Sequence, residues 1–543
     1  MTSRRDALRQ LAALAAAPAL VGLTPKGRVI GGSFVDDHST AGHALRDRTA
    51  ILAPSRPTRR VSVAIVGGGI GGLSAGWQLD ALGMHDWVLC ELGGRTGGNA
   101  QGAYYPSIGQ AAPWGAHYLP VPATDATHVR ALLRDLGVLG ADGRFDERTL
   151  CHTPQERLFQ HGRWHEGLEP FDALTAAERD QFARFAERID EFRASRAFAV
   201  PSAPAHARRG QAPAAVRRAV EQLDTLTADA WLTQQGLTSK ALRWWVEYGT
   251  RDDYGASLAQ ASAWAAVHYF AGREADEQGP LAWPEGNDWI AQQLTRRVVA
   301  RRANDDGVRL LTNAPAVHLE RRGTRWVVDT PAARLEADVV IWSAPLFVLP
   351  RVALEVTVPV SLEYAPWVVA NLVLDRLPEQ RGAPLAWDNV LYDSPSLGYV
   401  NAAHQHLGTE TLPTVWTWYH AVVDRPAREG RQWLQERPWS AWRDQILADL
   451  SRAHPDIAEC VARIDIMRWG HAMARPTPGL LARTETLARW QPAPGLLVAH
   501  ADLSGFSLFE EAQWHGVRAA QGAVGRLGGR KSGDKAARPF PTP

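Results

Sequence analysis

A glycine-rich turn behind a short apolar segment is the clearest chemical feature of the sequence. Residues 61–66 lead into Gly67-Gly68-Gly69-Ile70-Gly71-Gly72, and a helical pattern follows over residues 73–82. Gly67 permits a tight turn, Gly69 lets the backbone approach a pyrophosphate, and Gly72 lets the helix pack on the strand. The helix N-terminus adds N–H donors and the positive end of its dipole. This pattern predicts a dinucleotide site.

An acidic residue at the end of the next strand supports this interpretation. The apolar segment 87–90 ends at Glu91, 19 residues after Gly72, where a carboxylate accepts hydrogen bonds from ribose hydroxyls. The chain has 47 glycines, so a Gly-x-Gly-x-x-Gly triplet alone proves little. The strand, helix and acid around it make an ordinary glycine-rich turn a poor explanation.

A second glycine segment follows Glu91 and reads Leu92-Gly93-Gly94-Arg95-Thr96-Gly97-Gly98-Asn99. It resembles the FAD-binding segment of the flavin amine oxidase superfamily, which includes monoamine and polyamine oxidases, protoporphyrinogen oxidase and phytoene desaturases. Glu91, Arg95, Gly97 and Gly98 match that pattern, and Asn99 stands where an arginine is usual. The resemblance implies that these residues bind FAD and that Arg95 pairs with a phosphate charge.

Further matches lie far along the chain. Residues 284–289 resemble the loop that opens a helix returning to the FAD domain, and residues 337–345 resemble the strand that ends in Ala-x-Pro before the substrate domain. Val317 matches a valine that touches adenine through its backbone. Asp502, in the closing motif, matches an acid at the FAD diphosphate and ribityl chain.

These matches and the strand-like segments imply an α/β fold in which a discontinuous, Rossmann-like FAD-binding domain joins a substrate domain of antiparallel sheet and helices. Helical patterns cover residues 176–196 and 226–248, with a loop predicted over 201–219. The predicted divisions are an export signal (1–23), an arm or linker (24–60), FAD-binding parts (61–145, 284–345 and 476–526), substrate-domain parts (146–283, mainly helical, and 346–475) and a disordered tail (527–543).

The resemblance also suggests residues for catalysis, because bound flavin is the hydride acceptor and the protein has to position a donor carbon. Residues 112–118 match the loop that passes the isoalloxazine ring, so Trp114, Gly115 and Ala116 are expected to contact FAD and His117 to face it. Residues 467–473 resemble the stretch that closes the substrate cavity, which makes Trp469 and His471 further candidates. The plain alternative for these aromatic residues is packing.

One departure from the family concerns oxygen. Many members carry a lysine that holds a water beside the flavin, on a strand where this chain reads Tyr364-Ala365-Pro366-Trp367-Val368-Val369-Ala370-Asn371. Asn371 is the candidate to hold that water, and an electron acceptor other than oxygen stays open. No cysteine lies near the closing motif, so FAD is expected to bind noncovalently. A bridge between Cys151 and Cys460 is left open.

Composition and motifs exclude several other functions. Lys+Arg 59 against Asp+Glu 58 gives a net charge of +1, which offers no general attraction for nucleic acid or an anionic membrane. No metal-ligand spacing and no Gly-x-Ser-x-Gly elbow occur, so no metal is predicted. Asp252-Asp253 is interpreted as a solvated pair or a helix cap.

The first residues have the features of a targeting signal. Ser3-Arg4-Arg5-Asp6-Ala7-Leu8 followed by an apolar stretch at 11–23 resembles a twin-arginine signal, and the alternative is an arginine-tipped amphipathic helix. The apolar stretch is shorter than the roughly 20 residues that span a bilayer. The resemblance implies export of the folded protein to the periplasm by the twin-arginine translocase; the oligomeric state is open.

Three functions follow from these observations. The leading hypothesis is an exported FAD-dependent oxidoreductase that oxidises a C–N bond of a small amine, with a polyamine as one option. The second is an FAD-dependent desaturase or dehydrogenase acting on an isoprenoid or tetrapyrrole. The third is a flavin-binding partner protein without turnover, which the absence of a solvent-connected cavity at the flavin would favour.

Overall fold

The computed structural model describes residues 28–35, 38–49, 52, 56–170, 174–203, 213–273, 279–300, 308–406 and 413–531. The predicted export signal and the end of the predicted tail lie outside the described residues. The strands, in chain order, are β1 Thr58–Val66, β2 Trp87–Cys90, β3 Gly102–Tyr105, β4 Gln110–Pro113, β5 Tyr118–Leu119, β6 Glu156–Gln160, β7 Arg163–Glu166, β8 Leu281–Ala282, β9 Leu310–Leu311, β10 His318–Arg322, β11 Arg325–Asp329, β12 Arg334–Trp342, β13 Tyr364–Leu374, β14 Asp388–Leu391, β15 Tyr399–Asn401, β16 Thr414–Ala421, β17 Val461–Ala474 and β18 Leu496–Val498.

Helices pack on both sheets and also form a separate cluster. In chain order they are α1 His38–Arg46, α2 Ile70–Ala81, α3 Thr127–Asp135, α4 Ala176–Ala194, α5 Ala214–Thr225, α6 Ala228–Gln234, α7 Lys240–Tyr254, α8 Ala263–Ala271, α9 Asp288–Ala300, α10 Leu349–Val352, α11 Ala427–Glu436, α12 Trp439–Leu450, α13 Ile457–Cys460, α14 Leu480–Arg489 and α15 Phe509–Lys531.

The first sheet is built from segments that are distant in sequence. Its strand order is β10-β11-β12-β1-β2-β9, and β18 pairs with β12. The strands β12, β1, β2, β9 and β18 run parallel to one another, whereas β11 is antiparallel to β12 and β10 is antiparallel to β11. The inner half of β1 is buried on both faces, as its unbroken Val, Ala and Ile run requires in a sheet covered by helices. Helices α2, α3, α9 and α15 cover one face.

The second sheet has the order β17-β13-β16-β15-β14-β6-β7. Its pairs are antiparallel except for β14 with β6, which is parallel. Strand β13 is buried along all of its length, and helices α11 to α13 pack on the sheet. A cluster of helices α4 to α8 forms a further core beside this sheet. The α/β fold class predicted from the sequence, with a parallel sheet and a separate antiparallel one, is confirmed; the individual domain boundaries stay predictions.

Several element predictions need correction. The helical pattern over 226–248 is two helices, because Thr227 caps α6, Gly236 adopts a positive φ of 68° and Ser239 caps α7. Helix α5 begins inside the segment 201–219 that was predicted as loop. Helix α15 continues to Lys531, beyond the predicted start of the tail.

The segment 24–60 is more ordered than a surface linker. Residues 31 and 34 pair with β17, residues 38–46 form α1, and β1 begins at Thr58.

The cysteines Cys90, Cys151 and Cys460 are free thiols, so the possible Cys151–Cys460 bridge does not occur here. Within the described part of the chain, no helix is long and apolar enough to cross a bilayer.

Candidate active site

The predicted dinucleotide turn has the required shape. Gly67 ends β1 with φ of 103°, and its N–H donates to the carbonyl of Cys90 at 2.8 Å. A side chain on Gly71 or Gly72 would collide with backbone carbonyl oxygens, whereas the space around Gly69, at the N-terminus of α2, is open. Backbone donors therefore face open space at the positive end of a 12-residue helix. This turn fits a dinucleotide pyrophosphate.

Glu91 links the two glycine segments. Its carboxylate accepts the N–H of Gly68 at 2.6 Å and the N–H of Gly93 at 2.9 Å. The N–H of Gly97 in turn donates to the carbonyl of Gly68 at 2.8 Å. The segment that includes Gly97, Gly98 and Asn99 is thereby held against the turn, as the predicted site needs. The ribose contact of Glu91 stays a prediction.

Two predicted cofactor residues, Arg95 and Val317, make contacts within the protein itself. Arg95 forms an ion pair with Asp288 and donates to the carbonyl of Gly102 at 2.7 Å, and its predicted phosphate contact stays a prediction. The N–H of Val317 donates to the carbonyl of Asp329, so an adenine contact cannot use that group without breaking the sheet.

Asp502 is fully buried beside the chain crossing into the second sheet. Its carboxylate accepts the N–H of Leu346 at 2.8 Å and the hydroxyl of Tyr364 at 2.6 Å. Burial raises its pKa, but His500 and these donors outweigh burial and leave the pKa below its ordinary value. Asp502 therefore fixes the crossover as an anion, and its predicted contact with the ribityl chain stays a prediction.

The predicted flavin loop lies directly beside the second glycine segment. The N–H of Ala116 donates to the carbonyl of Asn99 at 3.0 Å, and a side chain on Gly115 would collide with that carbonyl. Trp114 is buried, and its carbonyl accepts the indole N–H of Trp469 at 2.6 Å. The structure thus brings together Asn99, the loop 114–117 and β17, although they are separated by up to 370 residues.

A cavity of about 160 Å³ opens from this loop and is bounded by strands of the second sheet and by helix α7. Its walls are mainly aromatic and aliphatic, and its charged groups are at one end. The lining residues are Asn99, Gly115, Ala116, His117, Tyr118, Leu119, Pro120, Asp252, Asp253, Arg273, Asn287, Trp367, Val369, Thr417, Tyr419, Trp469, Ala472, Met473, Ser507, Leu508, Phe509 and Glu510.

His117 lies in a group of aromatic rings. Its ring centroid is 5.0 Å from those of Tyr118 and Tyr419 and 5.5 Å from that of Trp387. Burial lowers the pKa of His117 to about 4. The imidazole is therefore neutral at pH 7 and adds no positive charge to the cavity wall.

The acidic end of the cavity corrects one sequence interpretation. Asp252 and Asp253, at the end of α7, line the cavity and are not a solvated pair. The hydroxyl of Tyr118 donates to Asp252 at 3.2 Å and lies 3.5 Å from an oxygen of Asp253. Burial, and then the charge of Asp253, raise the pKa of Asp252 well above its ordinary value.

Two more carboxylates lie close to this end. Glu510 lines the cavity and is paired with Arg273 at 2.7 Å. Asp388, buried behind the wall, accepts the hydroxyls of Tyr248 and Tyr419, each at 3.0 Å. Burial raises the pKa of Asp388 to about 6. Its hydrogen bonds fix the ring of Tyr419 in the wall.

Two predicted catalytic residues lie outside the cavity. His471 is exposed and stacks on Phe347 at 4.4 Å between ring centroids. Asn371 is buried behind Thr417, whose hydroxyl donates to it at 2.8 Å. Trp367 and Val369 are the residues of β13 that line the cavity, because alternate residues of a strand share a face and Asn371 is covered further along it.

The structure also identifies residues that the sequence interpretation missed. Tyr118 lies in the predicted flavin loop, residues 112–118, but the sequence indicates no role for it. The pattern at Asp252 and Asp253 indicates a solvated pair or a helix cap. Tyr419, Arg273 and Glu510 gave no signal, since neither their spacing nor their neighbours distinguish them from ordinary strand or helix residues.

Comparisons with known proteins agree with this geometry. Residues 70–524 match the family of flavin containing amine oxidoreductases. Putrescine oxidase bound to putrescine has a similar structure, with a TM-score of 0.62, 17% identity, and 87% of this chain and 100% of that chain covered. No curated protein sequence matches the chain.

Two further solved structures share the fold. Cyclohexylamine oxidase from Brevibacterium oxydans IH-35A has a TM-score of 0.61 and 15% identity, covering 86% of this chain and 99% of its own. A putative protoporphyrinogen oxidase from Exiguobacterium sp. 255-15 has a TM-score of 0.56 and 16% identity, covering 87% and 99%. At these identities the likeness extends to the fold alone.

Proposed function

Because this chain belongs to the flavin-containing amine oxidoreductase family, we propose that it oxidises a C–N bond of a small amine, with polyamines among the substrates to be tested. The protein is a flavin-containing oxidoreductase, and the proposal concerns its substrate and how it holds its cofactor. FAD, when bound, would supply the hydride acceptor. The observation that carries the substrate proposal is the acidic end of the cavity that opens from the flavin loop.

The residues that would hold FAD are the turn 67–72, Glu91, and Gly97 and Gly98. They supply backbone donors, a helix N-terminus and a carboxylate, which suit a pyrophosphate and a ribose. Among the described residues, no cysteine lines the cavity, and burial raises the pKa of the Cys90 thiol to about 12. These observations support noncovalent binding.

The acidic end favours a substrate that carries a positive charge. Burial and the charge of Asp253 raise the pKa of Asp252, so a cation beside these acids would favour the charged form of Asp252. An ammonium group beside Asp252 and Asp253 lowers that electrostatic cost and donates charge-assisted hydrogen bonds to both. A diamine could place one nitrogen beside these acids and present the other to the bound flavin. An isoprenoid has no cationic group for these carboxylates to bind, which argues against the desaturase alternative.

The aromatic wall suits the same ligand. Trp367, Tyr419 and Trp469 border the cavity, and an aromatic ring face attracts a cation by up to about 2 kcal/mol when water is excluded. Neutral His117 does not oppose that attraction. The cavity at the loop also argues against a flavin-binding partner without turnover.

The test is to mix the purified protein with each candidate substrate without oxygen and to monitor reduction of the flavin by the loss of its absorbance. We expect bleaching by diamines, weaker bleaching by monoamines of the same length, and none by isoprenoid or tetrapyrrole compounds. Bleaching by an isoprenoid or tetrapyrrole with no response to any amine would refute the proposal. A colourless protein that copurifies with NAD would refute the cofactor assignment.

We also infer export by the twin-arginine route to the periplasm. The support is the segment Ser3-Arg4-Arg5-Asp6-Ala7-Leu8 and the apolar stretch behind it. Replacing Arg4 and Arg5 by lysine keeps the charge and removes the guanidinium pair, so we expect the precursor to stay in the cytoplasm. Unchanged periplasmic accumulation would show that the segment is not such a signal.

A further inference from the structure

Residues 28–35, here called the N-terminal arm, lie along the outer edge of β17 in the second sheet. Gly31 donates its N–H to the carbonyl of Ala462 at 3.1 Å and accepts the N–H of Ile464 at 2.9 Å. Farther along, Ser33 accepts the N–H of Ile466, and Val35 donates to the carbonyl of Ile466, both at 2.9 Å. The arm therefore forms a parallel ladder with the edge strand.

Side chains fasten the arm at both ends. Arg28 donates to the carbonyl of Glu459 at 2.8 Å and pairs with Asp375. Phe34 lies under the guanidinium of Arg468, 3.8 Å from the ring centroid, and packs against the core of the second sheet. Val35 packs against the cluster of side chains that forms the cavity wall.

The strand that the arm covers is the same strand that closes the cavity. Its first half, up to Ile466, pairs with the arm, and its second half carries Trp469, Ala472 and Met473 into the lining. Trp469 then donates its indole N–H to Trp114 in the flavin loop. A contiguous path thus runs from the arm through β17 to the site.

We propose that the edge of β17 is a strand-binding surface whose partner is the chain's own N-terminal arm, and that arm docking holds the β17 wall of the cavity in place. Without the arm, the N–H groups of Ile464 and Ile466 would lose their acceptors on an exposed sheet edge. A strand with one free edge opens more readily, and in β17 that opening would reach Trp469. The arm is then a working part of the enzyme that begins shortly after the predicted export signal.

A one-carbon change tests this in the full-length holoprotein. Gly32 has φ of 138°, and a Cβ there would stand 1.8 Å from the carbonyl oxygen of Ile464, so Gly32→Ala should dislodge the arm. Gly42→Ala is the matched control, because no atom lies within 4 Å of its Cβ position. Phe34→Ala is a second, milder variant that removes only the ring contact.

The readout is amide hydrogen exchange, which needs no substrate. In Gly32→Ala we expect exchange at least tenfold faster over residues 461–467 and also over 468–474, a smaller increase in Phe34→Ala, and wild-type exchange in Gly42→Ala. Faster exchange confined to 461–467 would overturn the link to the cavity wall. Unchanged exchange in both arm variants would overturn the docking itself.

Kinetics separate this inference from the proposed function. We expect Gly32→Ala to raise KM for whichever substrate bleaches the flavin by about tenfold, with flavin content kept, since the glycine turn lies in the other sheet. Wild-type KM together with faster exchange over 468–474 would overturn the role in catalysis. Failure of every amine to bleach the flavin would refute the proposed function and leave the exchange result intact.

Discussion

Replacing Asp252 with asparagine tests the acidic end of the cavity most directly. The carboxylate accepts the hydroxyl of Tyr118 at 3.2 Å and lines the cavity beside Asp253. Asparagine has nearly the same shape and keeps a carbonyl oxygen for Tyr118, so the change removes charge with little loss of packing. We expect Asp252→Asn to weaken the recognition of a second ammonium group and to leave the flavin loop unchanged.

The magnitude follows from the charges. A carboxylate and an ammonium about 4 Å apart attract by about 4 kcal/mol at an effective dielectric constant near 20. Desolvation offsets part of this, and hydrogen bonds to charged groups contribute about 1.5 to 3 kcal/mol in practice. A loss of about 2 kcal/mol corresponds to about 30-fold in kcat/KM.

The assay compares 1,4-diaminobutane with 1-butylamine. In Asp252→Asn, the ratio of kcat/KM for the diamine to that for the monoamine should fall about 30-fold, because both substrates present the same reacting nitrogen. Asp444→Asn is the control, since Asp444 is exposed on α12 and paired with Arg443. The wild-type preference for the diamine should strengthen as pH rises, because the raised pKa of Asp252 keeps the pair protonated at lower pH.

Two results would refute this reasoning. An equal fall for both amines would mean that Asp252 acts on the reacting nitrogen or on the fold. An unchanged ratio would mean that the second ammonium group does not reach the acids.

Three further predictions concern the cofactor, oxygen and stability. Glu91→Ala should weaken flavin binding by about 1.5 to 3 kcal/mol, measured by equilibrium dialysis, and Glu91→Gln should have an intermediate effect. Equal flavin retention in the wild type and both variants would contradict the predicted ribose contact. Reduced flavin should re-oxidise more slowly in air than with a quinone-like dye, because no lysine lies on β13; fast oxygen turnover in stopped flow would contradict this. Burial raises the pKa of Glu511 from 4.5 to about 7, so the free energy of unfolding should fall by about 3 kcal/mol as pH rises between those values. Glu511→Gln should reduce this dependence of stability on pH, measured by thermal unfolding. The same pH dependence in both proteins would show that Glu511 does not titrate in this range.

The sequence determined the cofactor turn because its information is local. Gly67, Gly69 and Gly72 act through their own backbone conformation and their immediate packing, and Glu91 ends the next strand, so spacing along the chain was sufficient. The strand 87–90 was predicted at its observed bounds, because a continuous apolar run is required where a strand is buried on both faces.

The tertiary structure decided the substrate end of the site. Tyr118 and Asp252 are 134 residues apart, and only the packing of α7 against the flavin loop makes them neighbours. The same packing put Asp252 and Asp253 in a cavity, where their pattern alone indicated solvent. It also left Asn371 covered by Thr417 and His471 exposed beside Phe347, because what covers a strand residue depends on the elements that pack against the sheet.

The N-terminal arm shows the same division. Its residues carry no distinctive pattern, and the need for glycine at position 32 arises from a carbonyl oxygen 432 residues away. Local spacing can encode a turn that binds a cofactor, because each glycine meets its constraint within the same short segment. The identity of the groups that enclose the substrate depends on contacts between distant segments, and those exist only once the chain has folded.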